Sequence, residues 1–185
     1  MKTRNKIGVM KRVLSLVMAM VFVLAMPLTV EAKVKTVKPV AHKFATRASE
    51  LEPISTEISK GTHNVVVKKT EGVFCEGYVK FVAPESRTYT ITVSNIKAKG
   101  AKSCLGSLFG QTRPVNSDSD VLDFAYFDTK GKEHNWLSVG SRKYKNYLAK
   151  RTGKVTLEAG QTLYLQLSLV TSKKTKSASA RIKIK

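Results

Sequence analysis

Along residues 54–185 apolar and polar side chains alternate in short runs, the period of two that gives a strand one core face and one wet face. Leu163, Leu165, Leu167 and Leu169 alternate with Tyr164, Gln166 and Ser168. Ala178, Ala180, Ile182 and Ile184 alternate with Ser179, Arg181 and Lys183, and Tyr89, Ile91 and Val93 with Thr88, Thr90 and Thr92. Upstream, Tyr78 to Val82 is rich in aromatic and β-branched residues, and Pro84 carries the fixed φ that suits an early turn position. The two arms predict a hairpin over 76–94. Further strands are predicted over 54–59, 63–69, 104–109, 121–127 and 154–158, separated by turn signals such as Lys60-Gly61, Glu71-Gly72 and Ala159-Gly160. Eight or nine short strands without a helical period predict an all-β, antiparallel β-sandwich of jelly-roll type.

The N-terminus has a different pattern. Lys2, Arg4, Lys6, Lys11 and Arg12 precede an apolar run over 13–26, and Val30-Glu31-Ala32 offers a small-residue cleavage site. That order is a signal peptide, residues 1–32. An uncleaved membrane anchor would need about 20 apolar residues, and this run is shorter and followed by Pro27. The expectation is a protein secreted through general export, with no later transmembrane segment. Residues 33–52 carry Lys33, Lys35, Lys38, Lys43 and Arg47 without a sustained period, which predicts a basic flexible arm ahead of the 53–185 domain.

Charge narrows the partners. The chain has 33 basic and 13 acidic residues, net +20, and without 1–32 the balance is 28 to 12. Such an excess favours polyanions: an anionic polymer, a glycan or another cell-wall component. The alternative reading is that the charge serves solubility. Trp136, Tyr144 and Tyr147 lie among Arg142, Lys143, Lys145, Lys150 and Arg151, and a second cluster holds Lys173, Lys174 and Lys176. Aromatic faces stack on sugar rings while cations pair with phosphate, sulfate or carboxylate. These residues are the predicted ligand-binding set, with Trp136 also open to a place in the core. No sequence-specific nucleic-acid module is present; another secreted protein is the alternative partner.

Cys75 and Cys104 are expected to form a disulfide, since an exported pair closing a loop of about 30 residues would contribute about 3 kcal/mol. Two buried free thiols are the other possibility. Catalytic patterns are missing: His42, His63 and His134 form no His-Glu-x-x-His, and there is no Gly-x-Ser-x-Gly elbow. A cysteine–histidine hydrolase using Cys75 or Cys104 with His63 or His134 ranks third, behind a binding module and an accessory domain. No cofactor is expected. Asp118, Asp120 and Asp123 bear the oxygen ligands calcium takes, with a solvated acidic turn as the preferred reading.

Tyr78-Val-Lys-Phe-Val-Ala-Pro-Glu-Ser with Tyr89-Thr-Ile-Thr-Val resembles the bacterial pre-peptidase C-terminal domain, whose pattern is an aromatic, x, Phe, x, Ala-Pro, x, Ser, then Tyr-x-Ile-x-Val. Asp120 to Gly131 is similar to its acidic-hydrophobic strand ending in an Asp-x-x-Gly turn, and Val155 to Leu165 to its penultimate turn and strand. The resemblance covers about residues 54 to 185. It implies a non-catalytic accessory β-sandwich, in some members with calcium. Arg87 stands where the family often has Gly.

Overall fold

Tyr89, Ile91 and Val93 all turn to one side of their strand and are fully buried, as are Leu163, Leu165, Leu167 and Leu169 on another. The core forms where these faces meet. The computed structural model describes residues 34–101, 103–113, 117–141, 144 and 146–185. The expected signal peptide lies outside the described residues.

Thirteen strands follow in chain order: β1 (Lys35–Val37), β2 (Thr56–Glu57), β3 (Gly61–Glu71), β4 (Phe74–Val82), β5 (Arg87–Ala98), β6 (Leu105–Thr112) and β7 (Asp123–Phe124) come first. Then come β8 (Phe127–Asp128), β9 (Glu133–His134), β10 (Trp136–Gly140), β11 (Lys150–Leu157), β12 (Thr162–Val170) and β13 (Ser177–Ile184). One short helix, α1 (Ala48–Leu51), joins them. Eight strands have five residues or more, which matches the expected number, and the rest are two- or three-residue edges.

The hydrogen-bonded order is β10-β6-β12-β4-β3-β13-β5-β11-β8-β9. The main strands pair antiparallel, and the sheet curls into a β-sandwich with β10-β6-β12-β4 as one wall and β13-β5-β11 as the other. β3 is the bend: Gly61 to Lys68 pair with β13, whereas only Lys68, Lys69 and Glu71 pair with β4.

Four expectations need correction. The 76–94 stretch is no hairpin, because β4 pairs with β12 and β3 while β5 pairs with β13 and β11. The chain crosses from one wall to the other at Pro84, and Phe81 and Tyr89 then meet inside the core. Consecutive strands here sit in opposite walls, so the alternation that identifies each strand carries no information about its partner.

Residues 34–52 are not a flexible arm. β1 pairs in parallel with β3, Ala41 bridges Gly77, and α1 buries Leu51 completely. Where β3 and β4 splay apart, this segment fills the gap and satisfies backbone groups that would otherwise be open. It also buries the outward face of β4 and β12: Ala45, Ala48 and Leu51 cluster with Tyr78, Leu122 and Tyr164. Tyr164 and Gln166, read as a wet face, are therefore covered.

Trp136 to Gly140, read as part of a basic loop, is a strand whose Leu137 and Val139 enter the core. The run 121–127 yields only β7 and β8, since Val121 and Tyr126 stay exposed.

The fourth correction is the disulfide. Cys75 and Cys104 are both buried free thiols. Cys75 pairs with Leu169 on β12, and Leu169 in turn with Gly106 on β6, two residues beyond Cys104. One strand lies between the two cysteines, so their backbones are two strand spacings apart, about 9–10 Å. A bridge needs Cα atoms within about 7 Å.

Candidate functional site

Four connections, β3–β4, β5–β6, β10–β11 and β12–β13, leave the sandwich at the same end, as the registers Leu105↔Val170, Val170↔Phe74, Gly140↔Leu105 and Ala178↔Ala98 require. They bring exposed Lys97, Lys99, Lys150, Lys173, Lys174 and Lys176 together. The β12–β13 loop is anchored to β3, where the Lys69 ammonium donates to the Lys173 carbonyl and the Lys69 amide to the Lys176 carbonyl at 3.0 Å. Beside the lysines opens a cleft of about 780 Å³ lined by Ser94, Lys97, Ala101, Ser141 and Lys150. Of the predicted ligand set, Arg142, Lys143 and Lys145 lie outside the described residues. Arg151 is displaced from the surface: it shares the strand face of Gly153, Val155 and Leu157 and is half-buried, its Nε lacking a partner among the described residues.

Several acidic groups lie at the other end. Asp120 accepts from the amide and hydroxyl of Ser49, both at 2.7 Å, and so caps α1. Glu52 pairs with Lys80 and accepts from the Tyr164 hydroxyl. Both carboxyls lie below their ordinary values, Glu52 chiefly through Lys80 and Tyr164 and Asp120 through Ser49. Burial, with the Glu52 contact, pushes Tyr164 up. A cleft of about 620 Å³ runs beside them, lined by Glu52, Arg113, Asp120, Glu158 and Gln161 among others. Asp118 and Asp123 are exposed at this end, and among the described residues no three His, Cys, Asp or Glu side chains converge as a metal site would require.

The outer face of the β10-β6-β12-β4 wall has a layered pattern. Its strands align Trp136 with Phe109, then Ser138 with Ser107, Ser168 and Glu76, then Gly140 with Leu105 and Val170. Trp136 and Phe109 stand 5.8 Å apart between ring centroids. Phe44, on the segment that crosses this wall, meets Phe109 at 6.3 Å and stacks on Phe124 at 6.0 Å. Phe44 and Trp136 are each 48% exposed and Phe124 37%. At the lysine end Tyr144 and Tyr147 meet edge to face at 5.8 Å, and they fold over Gly140, where an added Cβ would lie 2.6 Å from Tyr147 Cβ.

Trp136, Tyr144 and Tyr147 thus share one face, with a row of serines between them. Phe44, Phe109 and Phe124 escaped sequence reading. Phe109 was visible in principle, because Ser107, Phe109 and Gln111 alternate with the core positions Gly106, Leu108 and Gly110.

The thiols and histidines are dispersed. Burial pushes both thiols up, Cys75 and Cys104 alike, away from the thiolate that reactivity requires. His63 bonds the Ser59 carbonyl at 2.8 Å near the start of β3. Cys75 is in register with Lys69, six residues further on, a distance of about 20 Å along the strand.

No family model and no curated protein matches the chain. Among solved structures, the copper-binding surface-associated protein CorA of Methylomicrobium album BG8 aligns with 80% of this chain and 99% of its own, at TM-score 0.37 and 6% identity. PliG, a periplasmic inhibitor of g-type lysozyme from Aeromonas hydrophila, aligns with 83% of this chain and 98% of its own, at TM-score 0.29 and 16% identity. A β-sandwich carbohydrate-binding module described as promiscuous in specificity aligns with 65% and 52%, at TM-score 0.29 and 11% identity. Among the described residues, no helix is long and apolar enough to cross a membrane.

Proposed function

We propose that the chain is a secreted, non-catalytic binding module for an anionic extracellular or cell-wall polymer, of the pre-peptidase C-terminal type, with its lysine-rich end as the contact surface. The observation that carries this reading is the convergence of three lysine-bearing connections at one end. Such a cluster of like charge steers and holds a polyanion, whereas charge serving solubility alone needs no clustering. Both local carboxylates are occupied: Glu71 pairs with Lys43 at 2.5 Å, and Glu76 accepts from Thr70 and Ser168. Among the described residues, Lys97, Lys99, Lys150, Lys173, Lys174 and Lys176 make no ion pair. Docking on another secreted protein is the second reading, favoured by the exposed aromatic rings.

Retention of the full exported chain on immobilised polyphosphate tests the proposal. It should fall steeply with salt. Reversing Lys97, Lys99, Lys173 and Lys174 to Glu should weaken binding about tenfold or more, since each lost pair removes a charge-assisted contact. Reversing Lys60, Lys183 and Lys185 at the opposite end should change it little. Salt-independent retention, or equal effects at both ends, would overturn the reading.

A further inference from the structure

We infer that the polymer is an anionic glycan, and that its sugar rings lie across the outer face of β10, β6 and β12 in a shallow trough floored by serines and bounded by aromatic rings. This rests on the polyanion reading and adds the chemical class of the ligand.

The floor consists of Ser138, Ser107 and Ser168, neighbours on three adjacent strands and each half-exposed. Along β10 the trough runs from Gly140, under Tyr147, to Trp136, four residues or about 13 Å away. Trp136 with Phe109 bounds one side and Tyr144 with Tyr147 the other. An apolar protein-docking patch would be expected to have an apolar middle. Here hydroxyls lie between the rings, so the surface alternates stacking faces with donor–acceptor groups. A pyranose has the complementary pattern, with apolar C–H faces and a rim of hydroxyls.

Charge completes the match. The tyrosine side of the trough adjoins the lysine-bearing connections, because Gly140 begins the β10–β11 link and Leu105 and Val170 end the same row. Glu76 closes the serine row on β4, its carboxylate accepting from the Ser168 hydroxyl at 2.9 Å and the Thr70 hydroxyl at 2.7 Å. A chain bearing both rings and carboxylates or sulfates can therefore reach the stacking faces and the lysines together. A ringless polyanion can use only the lysines.

Two polymers separate the two readings: polygalacturonate, which has pyranose rings and carboxylates, and polyphosphate, which has charge alone. Calorimetric titration of the full exported chain should show tighter binding to polygalacturonate per charge. Trp136→Ala and Tyr147→Ala should each weaken that binding at least fivefold and leave polyphosphate binding within twofold. Charge reversal of Lys97, Lys99, Lys173 and Lys174 should weaken both. If the aromatic variants leave polygalacturonate binding unchanged, or weaken both polymers equally, the glycan assignment fails while the lysine site stands. If the wild-type chain binds neither polymer at low salt, the underlying polyanion reading fails. Trp136 is exposed, so its variant should keep the wild-type unfolding midpoint; Ser138→Ala, which removes a hydroxyl and adds no bulk to the floor, provides an independent variant for the same comparison.

Discussion

Phe81 and Tyr89 pack edge to face across the core, ring centroids 5.0 Å apart and planes at 71°, although β4 and β5 lie in opposite walls. The Tyr89 hydroxyl donates to the Glu85 carbonyl at 2.7 Å and so braces the turn that carries the chain between walls. Lys60 and Arg87 lie over the Tyr89 ring, 5.7 and 5.2 Å from its centroid. Truncating either ring to Ala should cost about 3–5 kcal/mol, as large core deletions do. A double-mutant cycle read by urea unfolding should return a coupling of about 0.5–1.5 kcal/mol. Additive losses would show that the two rings act independently.

The segment 34–52 should behave as part of the fold. Leu51→Ala removes a fully buried side chain and is expected to cost about 2–5 kcal/mol. Gly77→Ala is a sharper test, since the added Cβ would stand 2.9 Å from the Val40 carbonyl oxygen and 3.2 Å from Val67. Backbone must move to admit it, at about 1–3 kcal/mol. Protease resistance of 34–52 in the native protein, lost in Leu51→Ala, would confirm that the segment is docked.

Acid should release the same segment. Glu52 and Asp120 have ordinary values of 4.5 and 3.8, and both are lowered in the fold by the contacts to Lys80, Tyr164 and Ser49. A depressed carboxyl contributes stability that is complete above its unfolded value and is lost as pH falls through the folded one. Amide exchange at Ala48–Leu51 should therefore accelerate below these values, before the sandwich itself opens. Glu52→Gln with Asp120→Asn should flatten that dependence; an unchanged profile would show that other groups govern it.

Cys75 and Cys104 should remain thiols in the purified protein. Alkylation after denaturation without reductant should label both, and native protein should label slowly because burial holds each thiol protonated. Replacing both with Ala should leave any hydrolytic activity unchanged, consistent with a structural role, and shift the unfolding midpoint only modestly.

Comparison of elements shows where the sequence was legible. The strands of β5, β12 and β13 could be read directly, because Tyr89-Ile91-Val93, Leu163 to Leu169 and Ala178 to Ile184 alternate strictly, and alternation is a local consequence of the pleat. The serine floor was not legible. Ser107, Ser138 and Ser168 come from three strands, and nothing within one strand specifies which other strand its outer face will adjoin.

The sequence by itself determined the all-β class, the core positions and the excess of basic charge, all of which follow from residue type and local period. Tertiary structure alone decided that 34–52 closes the gap between β3 and β4, that a strand separates the two cysteines, and that the lysines gather at one end beside an aromatic face. The physical reason is that side-chain period reports which way a residue points, whereas strand order depends on long-range pairing that many sequences of the same period could satisfy.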